Sequence, residues 1–523
     1  MAPRPTDGNN ARYPAYVLFV LMLVYVFNFL DRQILSILAE DIKHDLAISD
    51  AAMGFLLGTS FAVFYAVFGI PLGRAADLVN RTRLISVGLC LWSAMTTLSG
   101  FAGSFGSLAA CRMLVGVGEA SASPAAYSLI YDYFPKRLRT TAIAIYSSGI
   151  FIGAGLGLIM GGLILVGWKQ HFPNPADAPF ALRAWQAAFV VVGLPGVLLA
   201  TWVFTLREPE RERTGPAAAT PTTSPYVRVV EELASLLPAT GLVLVAASGG
   251  VAAAALNVAF LALVSLLCAG LIGLVGGTLQ WVTLGYGVYV FGTWCQKLFL
   301  KDRSSFLAVF GCRTLVVGSL GFTGCFFLTM GMLAWLAVFF QRFYDAAPAQ
   351  VGLVLGLSYA VMGFLGVTGG GIITDRAVER HGSRGRLLVA AGALALATLS
   401  MVFLLSAGER TVAYLWTLPF NFFSAMYVAP GAANVNSLAP ARMRATASAA
   451  YIVCQVLLGT ALGPYVVGTI SDALVAQGVA APQAIRQAML LSLWVSLPSL
   501  GLLLWAAKHA PSEEGSSENL EKF

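Results

Sequence analysis

Two stretches decide the fold: Gly73-Arg-Ala-Ala-Asp77, with Arg81 and Arg83 just beyond it, and Gly371-Ile-Ile-Thr-Asp375, with Arg376 and Arg380 beyond it. Each closes an apolar run, and from 73 to 371 the separation is 298 positions. A second pair repeats in the same way. Pro135-Lys-Arg-Leu-Arg139-Thr-Thr-Ala142 and Pro440-Ala-Arg-Met-Arg444-Ala-Thr-Ala447 each precede an apolar run, and from 135 to 440 the separation is 305. Two motifs recurring at nearly one offset indicate a duplicated unit. Gly73 and Gly371 would let neighbouring helices approach closely. Asp77, Asp375 and the bases Arg81, Arg139 and Arg376 would brace helix ends and gate movement.

The units are built for a bilayer. Of 523 residues, 58% are hydrophobic and 11% charged, and the mean hydropathy is +0.78. Soluble domains carry about 25% charged residues. Apolar runs of roughly 20 residues, the length that crosses a hydrocarbon core, fall at 14–38, 51–73, 84–102, 107–131, 141–166 and 186–206. They recur at 314–340, 352–374, 387–406, 411–438, 446–470 and 487–507. The run from 14 is too long for a cleavable signal and reads as a retained span.

Between the two sets, Leu233 to Gln296 holds no charged residue over 64 positions. As helix this is ~96 Å, enough for two or three crossings. Two crossings keep the Arg376–Arg386 cluster on the same side as Arg74–Arg83, so the reading is an extra hairpin, 239–264 and 272–296, turning near Cys268–Gly277. The expected domains are a first six-helix bundle over 1–206 and a linker with the hairpin over 207–310. A second bundle over 311–507 and a cytoplasmic tail over 508–523 complete the chain.

Charge sets the expected orientation. Of 32 Lys and Arg, only Lys43, Lys169, Arg183, Arg342, Arg410 and Arg486 fall on one side; Arg32 and Arg112 lie within spans and the rest on the other side. The positive-inside rule then places both termini in the cytoplasm. The net charge of +7 is thus an orientation signal and not a nucleic-acid footprint. The seven cysteines and four histidines show no metal-ligand spacing or disulfide framework, so no cofactor is expected, and no HExxH, GxSxG or His/carboxylate cluster suggests an enzyme. The short loops suggest a bacterial inner membrane. The one Asn-X-Thr site, Asn80-Arg-Thr82, falls on the cytoplasmic side.

The paired glycine–aspartate–basic loops resemble the signature of the major facilitator superfamily. That resemblance implies an all-α polytopic fold of two six-helix bundles related by a pseudo-two-fold repeat, here with a two-helix hairpin between them.

Ionisable groups inside spans are costly and therefore mark function. Asp31 and Arg32 lie in Asn28-Phe-Leu-Asp-Arg-Gln33, and Arg112 and Glu119 in Arg112-Met-Leu-Val-Gly-Val-Gly-Glu-Ala120. Seven residues is close to two helical turns, so Arg112 and Glu119 should face one way about 10 Å apart, while Asn28 shares a face with Asp31 and Arg32. They read either as neutralising salt bridges between spans or as a proton switch tuned by arginine. Span five carries Gly149, Gly153, Gly155, Gly157, Gly161 and Gly162, expected at the interface between halves; the run resembles the superfamily's antiporter motif without its proline.

Finer strings resemble the spinster family of lipid transporters. They are Asn28–Gln33, Gly116-Val-Gly-Glu-Ala120, Tyr131-Asp-Tyr-Phe-Pro135 and Leu333-Ala-Trp-Leu-Ala-Val-Phe-Phe340. The resemblance implies movement of lysolipids or sphingosine-1-phosphate-like amphiphiles, driven by a proton gradient, with Asp31, Arg32, Arg112 and Glu119 in coupling. Arg32, Arg112 and Asn28 are expected at the head group, with Asn421, Ser424 and Tyr427 across the cavity. Phe420, Phe422, Phe423 and Tyr359 are expected to line the tail. The expected partners are the bilayer, the lipid substrate and protons, for a monomer. A proton-coupled carrier of small organic anions or drugs, and a lipid-sensing receptor, stand as alternatives.

Overall fold

The computed structural model describes residues 12–209, 225–440 and 443–520. The first eleven residues, most of the 207–228 linker, Arg442 of the second repeated motif and the last three residues lie outside the described residues.

The first bundle runs through α1 (Arg12–Leu46), α2 (Asp50–Leu57) continued by α3 (Thr59–Leu78), and α4 (Arg81–Ser99). It ends with α5 (Phe105–Glu119) continued by α6 (Ala122–Tyr133), α7 (Lys136–His171) and α8 (Ala184–Phe204). Then come α9 (Pro225–Ala234), α10 (Pro238–Val275), α11 (Thr278–Lys301) and α12 (Arg303–Phe310). The second bundle holds α13 (Arg313–Phe343), α14 (Pro348–His381), α15 (Arg384–Ser406) and α16 (Arg410–Met426) continued by α17 (Val428–Leu438). It closes with α18 (Arg444–Cys454), a π-helical stretch Gln455–Thr460, α19 (Leu462–Ala476), α20 (Ala481–Ser492) and α21 (Ser496–Leu520).

Among the described residues, eleven helical segments, with α2–α3, α16–α17, α18–α19 and α20–α21 each taken as one, are long and apolar enough to cross a membrane by length and composition. Three further helical stretches, α4, α5–α6 and α11, fall outside that set; α4 opens on Arg81 and Arg83, and α5–α6 holds Arg112, Glu119 and Asp132. The helices outrun the apolar runs read from sequence because their polar ends continue past the hydrocarbon. Several spans also break, among them at Gly58, at Ala120–Ser121 and at Tyr427. Starts are fixed locally. Asn80 accepts from the Arg83 amide at 2.8 Å, and Ser104 with Ser107 forms a reciprocal capping box at α5.

Glycines set how closely the helices pack. A Cβ at Gly149, Gly153 or Gly157 would meet backbone of α1 at 3.1, 2.2 and 2.7 Å, so these three seat α7 on α1 within the first half. Gly161 faces α1 side chains. Only Gly155 and Gly162 face the second half, against Gly356 and Pro348 of α14. The expectation that the whole span-five run lies between the halves is therefore corrected. The phase of a 3.6-residue helix divides it between two partners.

The uncharged segment folds as an antiparallel hairpin. Its turn is Gly276–Gly277, with φ of 76° and 72°, so α10 continues through Cys268 to Val275. A polar clasp holds the two helices together. Asn257 donates to Thr293 (3.0 Å) and Gln296 (2.8 Å), and Tyr289 donates to Asn257 (2.7 Å). Between lipid-immersed helices such bonds contribute about 1 kcal/mol each. Just 6% of the apolar window of α10 is buried, so α10 lies outermost. α11 lies across the seam of the halves: a Cβ at Gly287 would sit 2.9 Å from both Val63 of α3 and Leu457 of the π-helical stretch.

Candidate functional site

The four intramembrane charges form one cluster. Arg32 Nε donates to Glu119 Oε2 at 2.6 Å. Its guanidinium lies 4.8, 4.3 and 4.7 Å from the ring centroids of Phe29, Phe61 and Tyr65, a cation–π cage. Arg112 Nη1 donates to the Asp31 backbone carbonyl at 3.1 Å, and among the described residues no carboxylate pairs with it. Asp31 accepts from Thr96 at 3.2 Å. The pairing thus runs crosswise between α1 and α5, not between Arg112 and Glu119 of one helix face. Asp31, Arg112 and Glu119 are 0%, 1% and 1% exposed, so the cluster lies in the protein interior and not at a solvated surface. Among the described residues, Asp31 Oδ1, Glu119 Oε1 and Arg112 Nε have no hydrogen-bond partner, and neither has Asn28 Oδ1. Asn28 sits against Glu119.

Arg32 and Arg112 reach one wall of a cavity of about 250 Å³ between the halves. Gln33, next to Arg32, and Ser36, one turn further along α1, stand beside them; neither carries a charge that a bilayer would single out, so sequence alone gives them no site signal. Tyr359, Ser424 and Tyr427 line the opposite wall, joined by Thr329 and Thr460. Asn421 does not reach it, because its amide donates to Ser358 at 2.8 Å inside the second half. Phe420 is buried elsewhere in that half, and Phe422 and Phe423 are not lining residues. The aromatic and apolar wall comes from Phe29, Phe61, Tyr65, Phe151, Phe326 and Met330 instead.

A second polar cluster closes the face that is poor in Lys and Arg. Arg342 of α13 donates to Glu40 at 2.6 Å and to Asp50 at 2.9 and 3.0 Å, and Lys43 pairs with Asp50 as well. Asp472 of α19 accepts from the amides of Asp50 (2.9 Å) and Ala51 (2.7 Å), and Ser471 donates to Asp50 (2.6 Å). Beneath this lock α2 lies directly on α19: a Cβ at Gly54 would meet Pro464 O at 2.5 Å. The sequence reading treated Arg342 as a loop charge and passed over Asp50 and Asp472.

On the opposite, base-rich face the two repeated motifs differ. Arg81 is buried and acts as a hub. Its Nε donates to Glu208 at 2.7 Å, its Nη1 donates to Ser128 at 2.8 Å, and it pairs with Asp132. Arg139 donates to Phe134 O at 3.1 Å and stacks on Tyr131. Asp375 and Arg376 are exposed and form no ion pair among the described residues, so the second copy does not brace helices as expected. Nor does close approach require either glycine in this conformation. A Cβ at Gly73 would sit 3.9 Å from Pro124, and one at Gly371 would sit 4.0 Å from Ala429. Asp77 lines a cleft with Arg74, which donates to Glu232 of α9 at 2.6 Å.

Two bundles meet around a central cavity, with the charge cluster in the first, an arrangement suited to a membrane transporter. The profile of the Major Facilitator Superfamily matches residues 21–464, and the chain belongs to that superfamily. It is therefore an integral, multi-pass membrane transporter and not an enzyme. It is 27% identical over 468 residues to an MFS-type efflux pump of Mycolicibacterium smegmatis, covering 90% of this chain and 87% of that one. It is 26% identical over 483 residues to protein spinster homolog 1 of Xenopus tropicalis, covering 89% and 74%. The fold matches the crystal structure of a bacterial homologue of the human lysosomal transporter spinster, in an inward-facing and unoccupied conformation. The TM-score is 0.71 at 22% identity, over 96% of this chain and 98% of that one. These likenesses support a place in the spinster family.

Proposed function

We propose that the protein is a proton-coupled transporter of single-chain, phosphate-bearing amphiphiles, working by alternating access. The observation that carries this reading is the one-sided cavity. Its two cations, Arg32 and Arg112, both come from the first half, while the second half contributes hydroxyls and apolar side chains. Arginine suits phosphate because its planar donors bind two oxygens at once. A compact organic anion would be served better by charge on both sides. The cavity, about 250 Å³, is smaller than a site that encloses a whole drug-sized ligand. It takes a head group and the start of a tail, and the rest of the chain leaves between the bundles.

Coupling follows from the Arg32–Glu119 pair. A phosphate that recruits Arg32 strips Glu119 of its cation, and an uncompensated carboxylate in a buried site is costly until a proton neutralises it. Substrate and proton therefore occupy the site together. With the base-rich face in the cytoplasm, the Arg342–Asp50–Asp472 lock closes the cavity to the outside, and the access cycle turns on its release. Both termini then lie in the cytoplasm, in a bacterial inner membrane. The Gly73–Asp77, Arg81 and Arg139 region and its copy at Gly371, Asp375 and Arg376 would work as the gate on the opposite face.

The test is transport of a lysolipid panel in proteoliposomes, with and without an imposed pH gradient. Long-chain lysophospholipid flux that follows the gradient is expected. Gradient-driven flux of sugar acids or short anions in its place refutes the amphiphile reading. A galactarate/D-glucarate transporter and a hexuronate transporter of Bacillus subtilis, 30% and 29% identical over 39% of this chain each, make those the right competitors.

A further inference from the structure

A second pocket lies outside the central cavity, where the hairpin turn meets the closed seam. Gly277 brings the turn against Tyr465 of α19, whose hydroxyl would lie 2.1 Å from a Cβ there. Trp281 packs edge-on to the same ring at 5.6 Å. Between the turn and the α2–α19 seam is a cleft of about 610 Å³. It has an apolar side made by Phe55, Leu274 and Leu279 and a polar side made by Ser49, Gln280 and Asp472. Leu274 is 84% exposed, so the cleft opens where lipid would stand, at the level of the Arg342–Asp50 lock.

Two features of the polar side leave hydrogen-bonding capacity unused. Gln280 is 2% exposed, yet among the described residues neither its Oε1 nor its Nε2 has a hydrogen-bond partner. A buried amide left so costs about 1–3 kcal/mol. Asp472 has no cationic partner among the described residues. Each of its oxygens takes one backbone amide, which leaves each a lone pair to spare. Among the described residues, no Lys, Arg or His lines the cleft.

We propose that this cleft binds the head group of a bilayer phospholipid bearing a primary amine. The ammonium has three donors to place, and Asp472 and Gln280 Oε1 are acceptors without competing cations. The phosphate is served by Gln280 Nε2 and the Ser49 hydroxyl, and the tails lie along Leu274 and Leu279. A choline head group has no N–H to donate. A glycerol head group leaves the phosphate charge facing Asp472 uncompensated. Occupied, the site would fasten the hairpin turn to α2 and α19 and so favour the closed lock.

Native mass spectrometry of the detergent-purified full chain tests this, with phosphatidylethanolamine, phosphatidylcholine and phosphatidylglycerol of identical acyl chains. Retention of the ethanolamine lipid at least fivefold over the other two is expected. Gln280→Met, which keeps the volume and removes the amide, should abolish that preference, whereas Gln280→Glu should keep or raise it. Arg32→Gln, in the central cavity, should leave it unchanged. Equal retention of the three lipids, or an unaltered preference in Gln280→Met, overturns the proposal. Displacement of the bound lipid by millimolar free phosphoethanolamine would show a soluble-ligand site and overturns the lipid assignment. If Gln280→Met melts below the parent in lipid-free detergent, the Gln280→Glu arm decides, and loss of preference there counts against it.

Discussion

Arg342 and Asp50, 292 residues apart, face each other across the two halves, with both terminal nitrogens of the arginine on the carboxylate at 2.9 and 3.0 Å. Their side chains are 8% and 2% exposed, so bulk water screens them little. Removing one partner does not leave the other wholly unpaired, because Lys43 also holds Asp50 and Glu40 also holds Arg342. The loss should therefore be that of charged hydrogen bonds, about 1.5–3 kcal/mol, roughly ten- to a hundredfold in the closed population. Spin labels at His44 and Gln477, both exposed on this face, should show a long-distance population in Arg342→Gln that the parent lacks. An unchanged distance distribution would mean that glycine packing alone holds this face shut.

Glu119→Gln should keep the fold, since the amide can still accept from Arg32, but it removes the charge that competes with an anionic head group. Two results are expected together: tighter lysophospholipid binding, and flux that no longer responds to a pH gradient. A pH-sensitive dye inside proteoliposomes reads the second directly. Should Glu119→Gln still carry one proton per substrate while Asp31→Asn does not, the coupling group is Asp31, whose Oδ1 is also unpartnered.

The duplicated bundles and the charge cluster were legible in the sequence for physical reasons. A motif repeated at one offset is a local pattern, and Asp31, Arg32, Arg112 and Glu119 stand out because a bilayer penalises them. Which charge meets which was not legible: Arg112 and Glu119 share a helix face, yet Arg32 is what reaches Glu119. The lock escaped because Asp50, Arg342 and Asp472 sit at span ends, where charges are ordinary, and only the tertiary fold brings them together. On α16 the run Phe420–Ser424 offered polar and aromatic groups on every side, and its phase was settled by Asn421 bonding to Ser358. The hairpin was legible as a long uncharged run, but its place across the seam depends on the Gly287 contact with Val63 and Leu457.

Gly54→Ala and Gly73→Ala should differ sharply. A methyl at Gly54 meets Pro464 O at 2.5 Å and Tyr465 Cα at 2.8 Å, backbone that cannot swing away, whereas one at Gly73 meets nothing nearer than 3.9 Å. The first should cost about 1–3 kcal/mol of the closed arrangement and lower the melting temperature in detergent. The second should leave the melting temperature as it is. If Gly73→Ala nonetheless abolishes flux, the close approach expected of that loop belongs to the opposite conformation.

Arg32→Lys separates charge from shape at the head-group site. Lysine keeps the positive charge but gives up the planar fork and most of the stacking against Phe29, Phe61 and Tyr65. The lost contacts are worth about 1–2 kcal/mol, so lysophospholipid affinity should fall roughly tenfold. On the proposed reading the gain per added methylene of the tail should be the same in parent and variant, because the apolar wall offered to a tail includes Phe326 and Met330 on the other half. Each buried methylene is worth about 0.8 kcal/mol, so affinity should climb steadily with chain length until the tail outgrows its apolar wall. Titrations of a homologous lysolipid series by tryptophan fluorescence would show parallel lines for the two proteins. Lines of zero slope, with a sugar acid or other short anion binding as well as the longest lipid, would mean that the cavity recognises charge alone and that the substrate is a small organic anion.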